Sequence, residues 1–415
     1  MQWVNQALLP DLLKFVSTNP HAGFYREKYA KAGVPADIEH FFSLPMLTRA
    51  ELTDTPVGAR VFVPKEEVEL VAFTSGTSSK VPLIVPYSHV ARYYFEPSFG
   101  MPLKRPLIIL PPLMKSFSYP FMRMCQEAVQ PVSPIFGDVQ NLANSALLAD
   151  AFECDSMYAL PTLASLFAPL AQERGIAKNI RLLMLSSETT TTARREELCT
   201  LYPNALIANM YASTELGHPV FVPCPTMIER GLNQFHIIPE ALAAVELVEG
   251  ELVISYSLNP ATPLVRYRTG DYFEEVSQGC DCGREGPVLA WSHRGEIDRL
   301  RINGVEFDLE EADRAFSKLP YLPSARYQVH FRPGEGAEVA ISVEIADPTV
   351  SSDTMFAQAL AQRVEADLPD VWRISSTATV RTALEKKLFS SFTAQIVPHL
   401  SIEGTKAKRF INHVE

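Results

Sequence analysis

The 415-residue sequence lacks the features of a membrane-embedded or secreted protein. It contains no run of 18 or more apolar residues, so we expect no membrane-spanning helix. Residues 1–15 carry neither a basic leader nor a small-residue cleavage site, and they do not predict a signal peptide. Six cysteines in a chain of this length do not predict a disulfide framework. These absences favour a cytoplasmic protein with reduced thiols.

Basic residues are also scarce. The 37 lysines and arginines are outnumbered by 48 aspartates and glutamates, which gives a net charge of −11. Proteins that bind nucleic acids or membrane surfaces usually carry basic stripes, so we expect neither partner. The overall composition, with 47% hydrophobic and 20% charged residues, is ordinary for a globular protein. The length predicts one large domain and one smaller domain.

Short apolar segments alternate with helical ones through the first part of the chain. Residues 106–110 and 180–185 are apolar runs bounded by turn residues, a pattern typical of buried parallel strands. Residues 141–152 and 163–174, which lie between them, have helical spacing. This alternation predicts an α/β fold with helices on both faces of a sheet. Residues 243–276 alternate in polarity instead and predict antiparallel strands.

The character of the sequence changes again after Asp298. Residues 339–345 alternate as a strand does, and residues 355–368 have helical spacing. We therefore place a domain boundary at this aspartate. The prediction is a large domain over residues 1–298 and a small α+β domain over residues 299–415.

A hydroxyl-rich segment, residues 73–80, follows a strand-like stretch. Its serines, threonines and glycine could cradle a polyphosphate with N–H and O–H groups, and Lys80 would add a positive charge. The spacing is not that of a Walker A loop. Taken alone, the segment is equally well explained as a polar surface loop.

Residues 209–217 offer a second group of nucleotide-binding side chains. Tyr211 has an aromatic face on which a base can stack. Thr214 and Glu215 supply a hydroxyl and a carboxylate, hard oxygen ligands of the kind that Mg²⁺ prefers. The alternative is a strand end followed by a capped turn.

Three charged segments complete the pattern. Asp271, at the end of residues 264–271, follows a glycine turn and is suited to accept both hydroxyls of a ribose. Residues 293–304 are dense in charge, which usually indicates a solvated face. Residues 403–409 form a basic segment near the C-terminus, where disorder is the usual alternative.

In this order and at these spacings, the five segments resemble the adenylate-forming superfamily of acyl-CoA synthetases, peptide-synthetase adenylation domains and luciferases. Residues 19–25 and 42–48 are similar to the opening of its phenylacetate–CoA ligase branch. The resemblance implies that ATP activates a carboxylic acid as an acyl-adenylate, with release of pyrophosphate and transfer of the acyl group to a nucleophile. It also implies a large α/β domain with layered sheets and a small, mobile α+β C-terminal domain, hinged at Asp298.

The resemblance assigns the ATP-binding residues. The set is Thr74, Ser75, Gly76, Thr77, Ser78, Lys80, Ser187, Glu188, Asn209, Met210, Tyr211, Ala212, Ser213, Asp271 and Arg294. Ser79 stands where relatives carry a glycine, which would stiffen the phosphate loop. Glu188 has a structural alternative, because an acidic residue is favourable at the start of the helix predicted over residues 192–202.

The resemblance also assigns the catalytic residues. Glu215, with Thr214, would contact the magnesium ion. Lys406 would reach the α-phosphate and the substrate carboxylate, where its charge stabilises the transition state. Lys408 is the competing lysine for this role.

The acid substrate would occupy a pocket with an aromatic lining. The resemblance places candidate lining residues at Phe117, Tyr119, Phe136, Tyr158 and Ala212. This lining suits a planar aryl or arylacetic acid, although aromatic residues in apolar runs also form plain cores. Coenzyme A is the implied acceptor, and a carrier-protein thiol or an amine stays open as an alternative. A non-catalytic nucleotide-binding homologue and a homodimer also stay open.

Four residues could together act as the ligands of a metal ion. Cys280 and Cys282 flank a single residue in a turn that ends in glycine, and Cys224 and His236 stand upstream. Together they would make a closed, tetrahedral site for a structural Zn²⁺ ion. The phenylacetate–CoA ligase branch has a similar C-x-C-G-R segment. The alternative is a set of small buried side chains without a ligand.

Overall fold

The structure of the protein is a computed structural model that describes most of the chain. The described residues are 1–33, 37–74, 82–88, 99–110, 115–128, 132–322, 326–334, 336–345, 351–400 and 408–414, with the backbone alone described at 115–120 and 296. The chain divides into two compact units, each assembled from separate segments. Unit 1 comprises Met1–Lys104, Pro111–Pro134 and Ala208–His293, and unit 2 comprises Arg105–Leu110, Ile135–Ile207 and Arg294–Glu415.

The helices of the described residues are mostly short. They are α1 Leu8–Thr18, α2 Phe24–Lys28, α3 Ile38–Ser43, α4 Arg49–Asp54, α5 Lys115–Glu127, α6 Leu142–Ala151, α7 Pro161–Glu173, α8 Thr192–Leu201, α9 Pro225–Glu229, α10 Gly295–Asp298, α11 Leu309–Ser317, α12 Thr354–Val371 and α13 Val380–Glu385. Their starts follow local capping chemistry. Thr48 begins α4 with a capping box, in which its hydroxyl accepts from Glu51 N and the Glu51 carboxylate accepts from Thr48 N. None of these helices is both long and apolar enough to cross a membrane.

The strands of the described residues outnumber the helices. They are β1 Gln2–Val4, β2 Val68–Phe73, β3 Ile84–Ser88, β4 Pro106–Ile109, β5 Ile135–Phe136, β6 Ser156–Ala159, β7 Leu182–Leu185, β8 Leu206–Asn209, β9 Tyr211–Ala212, β10 Pro219–Val222, β11 Gln234–Ile237, β12 Leu242–Val248, β13 Glu251–Tyr256, β14 Leu264–Glu275, β15 Val288–His293, β16 Arg299–Ile302, β17 Val305–Asp308, β18 Arg326–Arg332, β19 Glu338–Glu344, β20 Ser391–Val397 and β21 Phe410–Asn412.

Unit 1 is organised around an antiparallel sheet. Its eight strands run in the order β1-β12-β13-β14-β15-β11-β10-β9, and β2 pairs with β3 in a separate hairpin. Strand β13 is buried along its whole length. A buried ion pair joins Arg266 of β14 to Glu246 of β12 at 2.7 Å, which satisfies both charges inside the sheet. Paired in this way, the two side chains avoid the cost of an isolated buried charge.

Unit 2 contains a parallel sheet and a mixed sheet. The parallel strands run in the order β5-β4-β6-β7-β8. Strands β4, β6 and β7 are buried at every residue, as strands covered on both faces are. The mixed sheet, β20-β19-β18-β21, packs with α11–α13 around an aromatic core that includes Phe307, Tyr327 and Trp372. This core lies entirely within residues 302–410.

The predicted fold class is confirmed. The apolar runs predicted as parallel strands are β4 and β7, and the helical segments between them are α6 and α7. The predicted antiparallel section contains β12, β13 and β14. The two C-terminal predictions correspond to β19 and α12. The domain boundary at Asp298 stays a prediction.

Candidate functional site

Glu215 lies at the centre of a charged cluster in unit 1. Its Oε1 accepts hydrogen bonds from Arg49 Nη1 at 3.0 Å and from the Tyr267 hydroxyl at 3.1 Å. Arg49 also contacts Thr74 Oγ1 through Nη2. The structure therefore joins Thr74 of the predicted phosphate loop to the predicted magnesium-binding glutamate. The guanidinium offsets the charge of a carboxylate that is only 7% exposed.

Sequence reasoning missed Arg49. The residue opens helix α4, directly after the Thr48 of the capping box. The capping box fixes the backbone at the start of α4, and with it the direction in which the Arg49 side chain leaves the helix. The sequence does not show that Arg49 contacts Glu215, because the two residues are 166 positions apart.

Tyr87 contacts the turn that carries Thr214 and Glu215. Gly217 has a φ of +76°, and a Cβ at this position would lie 2.5 Å from the Tyr87 ring. The Tyr87 hydroxyl donates a hydrogen bond to the carbonyl oxygen of Thr214. Glycine is thus required both by the backbone conformation and by the close approach of the ring. These contacts of Tyr87 fix the position of the Glu215 backbone.

Tyr211 and Asp271 form the second pair in unit 1. The Tyr211 hydroxyl donates to Asp271 Oδ2 at 2.7 Å. The Tyr211 ring stacks on Phe221 at a centroid distance of 5.2 Å and meets Phe273 edge-on at 5.1 Å. Burial, followed by the charge of Asp271, raises the pKa of Tyr211 well above its ordinary value, so the phenol remains a donor at neutral pH.

This packing changes the expected role of the tyrosine. Phe221 covers one face of the Tyr211 ring, and the residue is only 6% exposed. The structure therefore shows Tyr211 as the residue that orients Asp271, and stacking on adenine stays a prediction. Nearby, Asn209 donates from Nδ2 to Asn233 Oδ1 at 2.7 Å. Met210 is buried, whereas Ala212 and Ser213 are partly exposed.

Two further predicted nucleotide residues, Ser187 and Glu188, lie in unit 2. Ser187 has a φ of +73°, an uncommon backbone conformation for a residue with a side chain. Glu188 Oε2 accepts from the Thr162 hydroxyl at 2.7 Å and from Thr162 N at 3.3 Å. The structural alternative for Glu188 is corrected here. Its carboxylate serves the start of α7, and Thr191 caps α8 instead.

Asp298, the predicted hinge, is buried and engaged. Its Oδ2 accepts from the Thr189 hydroxyl at 2.6 Å and from Arg294 N at 2.9 Å. Arg294, the predicted ribose-binding arginine, is the residue before helix α10. Within unit 2 this carboxylate connects the segment after β7 to the segment that begins the C-terminal part. Its role as a hinge stays a prediction.

A larger buried network in unit 2 centres on Asp313 of α11. Its carboxylate accepts from the Thr191 and Tyr327 hydroxyls, both at 2.7 Å, and contacts Arg409. Arg194 of α8 approaches at 3.6 Å. Burial opposes the charge, yet Arg409 and Arg194 hold the pKa of Asp313 below its ordinary value. Arg409, the last residue of the basic C-terminal segment, thus contacts this buried carboxylate, which the sequence did not predict.

The remaining predicted site residues are described only in part. Ser75, Gly76, Thr77, Ser78, Lys80 and Lys406 lie outside the described residues, as do the side chains of Phe117 and Tyr119. Phe136 is 46% exposed. Tyr158 is buried, with its hydroxyl 2.8 Å from Ser186 Oγ, and burial raises its pKa to about 12. The substrate pocket therefore stays a prediction.

The four predicted metal ligands come together in unit 1. Their donor atoms all lie within 4.8 Å of one another. The Cys224 and Cys280 sulfurs are 3.6 Å apart, and Cys282 Sγ is 3.2 Å from His236 Nε2. Zn–S and Zn–N bonds of 2.3 and 2.0 Å in a tetrahedron place donor atoms roughly 3.5–3.8 Å apart. Burial, followed by the charge of Arg284, lowers the pKa of His236, so its imidazole is available as a neutral ligand.

Comparison with known proteins gives a consistent result. No protein-family model matches the chain. The phenylacetate–coenzyme A ligase of Thermus thermophilus is 25% identical over 355 residues, which cover 78% of this chain and 77% of that protein. A crystal structure of 2-hydroxyisobutyryl-CoA ligase in the postadenylation state matches with a TM-score of 0.74 and 17% identity, covering 98% of this chain and 89% of that one.

A crystal structure of an anthranilate–CoA ligase with anthranoyl-AMP matches with a TM-score of 0.52 and 14% identity. That match covers 84% of this chain and 67% of the other. The solved structures establish the fold, and the Thermus protein supplies the sequence relationship. The predicted resemblance is confirmed: the chain has the fold of the adenylate-forming superfamily and resembles its phenylacetate–coenzyme A ligase branch.

Proposed function

We propose that the protein is an AMP-forming acid–thiol ligase that activates a carboxylic acid with ATP and transfers the acyl group to coenzyme A. The observation that carries the proposal is the cluster of Thr74, Arg49 and Glu215, which joins two separate motifs of the sequence. The Tyr211–Asp271 pair in the same unit supports it by presenting an oriented carboxylate for a ribose. The likeness to acid–CoA ligases supports an enzyme of this class.

Glu215 would hold Mg²⁺ together with the phosphates of ATP. Both described hydrogen bonds to its carboxylate use Oε1, so within the described part of the chain Oε2 is available to a cation. The donor chemistry fits, because carboxylate and hydroxyl oxygens are the ligands that Mg²⁺ prefers. Bound Mg²⁺ would neutralise charge on the phosphates. Since Arg49 already offsets the charge of Glu215, we expect Mg²⁺ to bind with the nucleotide rather than before it.

Lys406 would complete the catalytic set at the α-phosphate, with Lys408 as the competing candidate. A desolvated ammonium group stabilises negative charge far more strongly than one in water, which is what attack on phosphorus requires. The phosphate loop over residues 74–80 would bind the β- and γ-phosphates. These assignments come from the resemblance.

We propose an aryl or arylacetic acid as the substrate. The aromatic residues near Phe117 and Phe136 support this class, as does the likeness to a phenylacetate ligase. The same fold also serves 2-hydroxyisobutyrate, an aliphatic acid, so the substrate panel must span both classes. Coenzyme A is the proposed acceptor, and a carrier-protein thiol or an amine is an outcome that the assay distinguishes.

Pyrophosphate release tests the proposal directly. The full-length protein is incubated with ATP and Mg²⁺ and a panel of aryl, arylacetic and short aliphatic acids, with and without coenzyme A. Release that depends on the acid and accelerates with coenzyme A is expected. Release that ignores coenzyme A would redirect the search to carrier-protein or amine acceptors. Nucleotide binding without release for any acid would contradict the enzymatic proposal.

Variants separate the roles within the site. Lys406→Ala should abolish acid-dependent release while ATP still binds, and Lys408→Ala should leave the adenylation step active. Full activity of Lys406→Ala together with loss in Lys408→Ala would transfer the catalytic role to the second lysine. Glu215→Gln should raise the Mg²⁺ concentration required for half-maximal rate, because it removes the charge of the metal ligand.

We also propose that Cys224, His236, Cys280 and Cys282 hold a structural zinc ion. The support is the close approach of four suitable donors, two on one turn and two on a neighbouring hairpin. Four protein ligands leave no open position for a substrate, so the ion would stabilise the sheet. Cys224 Sγ also accepts from Met227 N at 3.4 Å, a contact that fixes its direction.

Metal analysis tests the zinc proposal. The purified protein should contain one equivalent of zinc, and Cys280→Ser should lose it and unfold at a lower temperature. Cys199→Ser is the matched control, because this cysteine is exposed and outside the cluster. Wild-type protein without zinc, or equal zinc in Cys280→Ser, would contradict the assignment.

A further inference from the structure

Two segments of unit 1 share one arrangement of side chains. In the first segment Tyr211 precedes Glu215, and in the second Tyr267 precedes Asp271, with the same spacing between tyrosine and carboxylate. All four residues are buried, and none is more than 7% exposed. Two buried carboxylates need donors, and each segment carries a tyrosine that can supply one.

The hydrogen bonds between the two segments are crossed. The Tyr211 hydroxyl donates to Asp271 Oδ2 at 2.7 Å, and the Tyr267 hydroxyl donates to Glu215 Oε1 at 3.1 Å. Each segment therefore supplies a donor to the carboxylate of the other, and we call these four residues the crossed pairs. Burial, followed by the charge of Glu215, raises the pKa of Tyr267 well above its ordinary value, so its hydroxyl keeps the proton that it donates.

Backbone hydrogen bonds hold β14 on both sides of Tyr267. Leu47 N donates to the carbonyl oxygen of Arg266 at 2.8 Å, and Arg268 N donates to the carbonyl oxygen of Leu47 at 2.9 Å. Arg49, which donates to the same carboxylate oxygen as Tyr267, follows two positions after Leu47. Both donors thus stand on backbone segments that are bonded to each other, which gives the carboxylate a defined direction.

We propose that Tyr267 is a positioning residue for the bound metal, and that the crossed pairs couple the metal site to the ribose site. The inference rests on the proposed function, which assigns Glu215 to Mg²⁺ and Asp271 to the ribose. Ribose hydroxyls on Asp271 would fix Tyr211, and the same short segment ends in Glu215. Ribose and Mg²⁺ would therefore each strengthen the binding of the other, since coupling between two sites is reciprocal.

Tyr25 shows what a purely structural tyrosine looks like beside the same strand. Its hydroxyl donates to the carbonyl oxygen of Pro263 at 2.9 Å and accepts from Val265 N at 3.1 Å. These partners are backbone groups at the beginning of β14, whereas Tyr267 donates to a side chain that would hold a ligand. Tyr25→Phe is therefore the matched control for Tyr267→Phe, because each change removes one buried hydroxyl at this strand.

Calorimetric titration of the full-length protein with ATP, without any acid, tests the positioning role. Tyr267→Phe should weaken the affinity for MgATP by about tenfold, the effect expected when a hydrogen bond to a charged group is lost. The Mg²⁺ concentration that gives half-maximal ATP binding should rise with it. Tyr25→Phe should unfold at a lower temperature but keep the Mg²⁺ dependence of the wild type.

Two measurements test the coupling. On wild-type protein, Mg²⁺ should tighten the binding of ATP by a larger factor than that of 2′,3′-dideoxy-ATP, which lacks both ribose hydroxyls. This comparison needs no substitution. In the double variant Tyr211→Phe with Tyr267→Phe, the loss of MgATP affinity should be smaller than the product of the two single losses, because both changes disturb one unit.

Several results would overturn the inference. An unchanged Mg²⁺ dependence in Tyr267→Phe, or an equal change in Tyr25→Phe, would reduce Tyr267 to a packing role. Equal Mg²⁺ factors for the two nucleotides, or single losses that multiply in the double variant, would show that the metal and ribose sites are independent. Because these titrations measure binding without an acid, their failure is distinguishable from failure of the ligase proposal, which the pyrophosphate assay decides.

Discussion

Replacing Asp313 with asparagine should destabilise the C-terminal part of the protein severely. This carboxylate is buried and contacts two arginines and two hydroxyl groups, on segments that are far apart in the sequence. Asparagine keeps the shape of the side chain but removes its charge. Arg409 would then lose its described carboxylate partner, and Arg194 would keep only Glu197.

The expected loss of unfolding free energy follows from the burial of Asp313. Breaking a buried ion pair by removing one partner costs about 3–5 kcal/mol, because the remaining charge is left uncompensated. Asp370→Asn is the matched control. Asp370 pairs with Arg381 at 2.9 Å, but both side chains are substantially exposed, and such pairs contribute less than about 1 kcal/mol. The two variants make the same chemical change in opposite environments.

The pH dependence gives an independent check. The folded protein holds the pKa of Asp313 below its ordinary value of 3.8. A depressed carboxyl pKa contributes stability that is present above the unfolded pKa and is lost as the pH falls through the folded pKa. The difference in unfolding free energy between wild type and Asp313→Asn should therefore be constant from pH 7 to about pH 5 and shrink below about pH 4.

Urea unfolding followed by tryptophan fluorescence can measure the effect locally. Trp372 lies in the core next to the Asp313 network, and replacing Trp3 and Trp291 with phenylalanine makes it the reporter. The midpoint of the Trp372 transition should fall strongly in Asp313→Asn and little in Asp370→Asn. Equal shifts in the two variants would refute the reasoning that burial of the shared carboxylate holds these segments together.

Three further predictions concern unit 1. Tyr211→Phe removes the donor that orients Asp271, so the KM for ATP should rise about tenfold in the pyrophosphate assay while the protein stays folded. Gly217→Ala should lower the unfolding free energy by about 1–3 kcal/mol or more, measured by urea unfolding, because its positive φ is strained and its Cβ would meet Tyr87. Arg49→Lys should reduce kcat/KM for MgATP about tenfold or more, since a lysine cannot reproduce the two-pronged contact.

Each of these predictions has a clear contrary result. An unchanged KM in Tyr211→Phe would mean that Asp271 is held by other groups. Wild-type stability of Gly217→Ala would show that the turn can relax away from Tyr87. Unchanged kinetics in Arg49→Lys would remove this residue from the nucleotide site and weaken the argument for the whole cluster.

The fold was predictable to a large extent because its signals are local. Strands β4 and β7 are short apolar runs, helix α6 is capped by the side chain of Asn141, and helix α7 begins with Pro161. The proximity of Cys224, His236, Cys280 and Cys282 was predictable, because thiols and an imidazole are the side chains that Zn²⁺ prefers. For these strands, helices and metal-ligand candidates, the types of residue present leave few alternative interpretations.

The contacts that organise the candidate site were not predictable, because they join distant parts of the chain. Arg49 and Glu215 are separated by 166 residues, Thr189 and Asp298 by 109 residues. Glu188 shows how a local rule fails. A carboxylate near the start of α8 suggested that it stabilises this helix, yet the backbone turns it towards α7. Tertiary packing decides between two helix starts that the sequence presents as equivalent.

The same argument applies to the buried arginines. A sequence cannot distinguish an arginine that pairs with a distant carboxylate from one that does not, so Arg60 and Arg194 look alike until their surroundings are known. In the fold, Arg194 pairs with Glu197 and Asp313, whereas Arg60 has no carboxylate partner among the described residues and donates to the carbonyl oxygen of Ile84. Burying a charge opposes folding, so an unpaired guanidinium lowers stability unless something outside the chain pairs with it. The cost of burying Arg60 is therefore a property of the fold that no sequence pattern reveals.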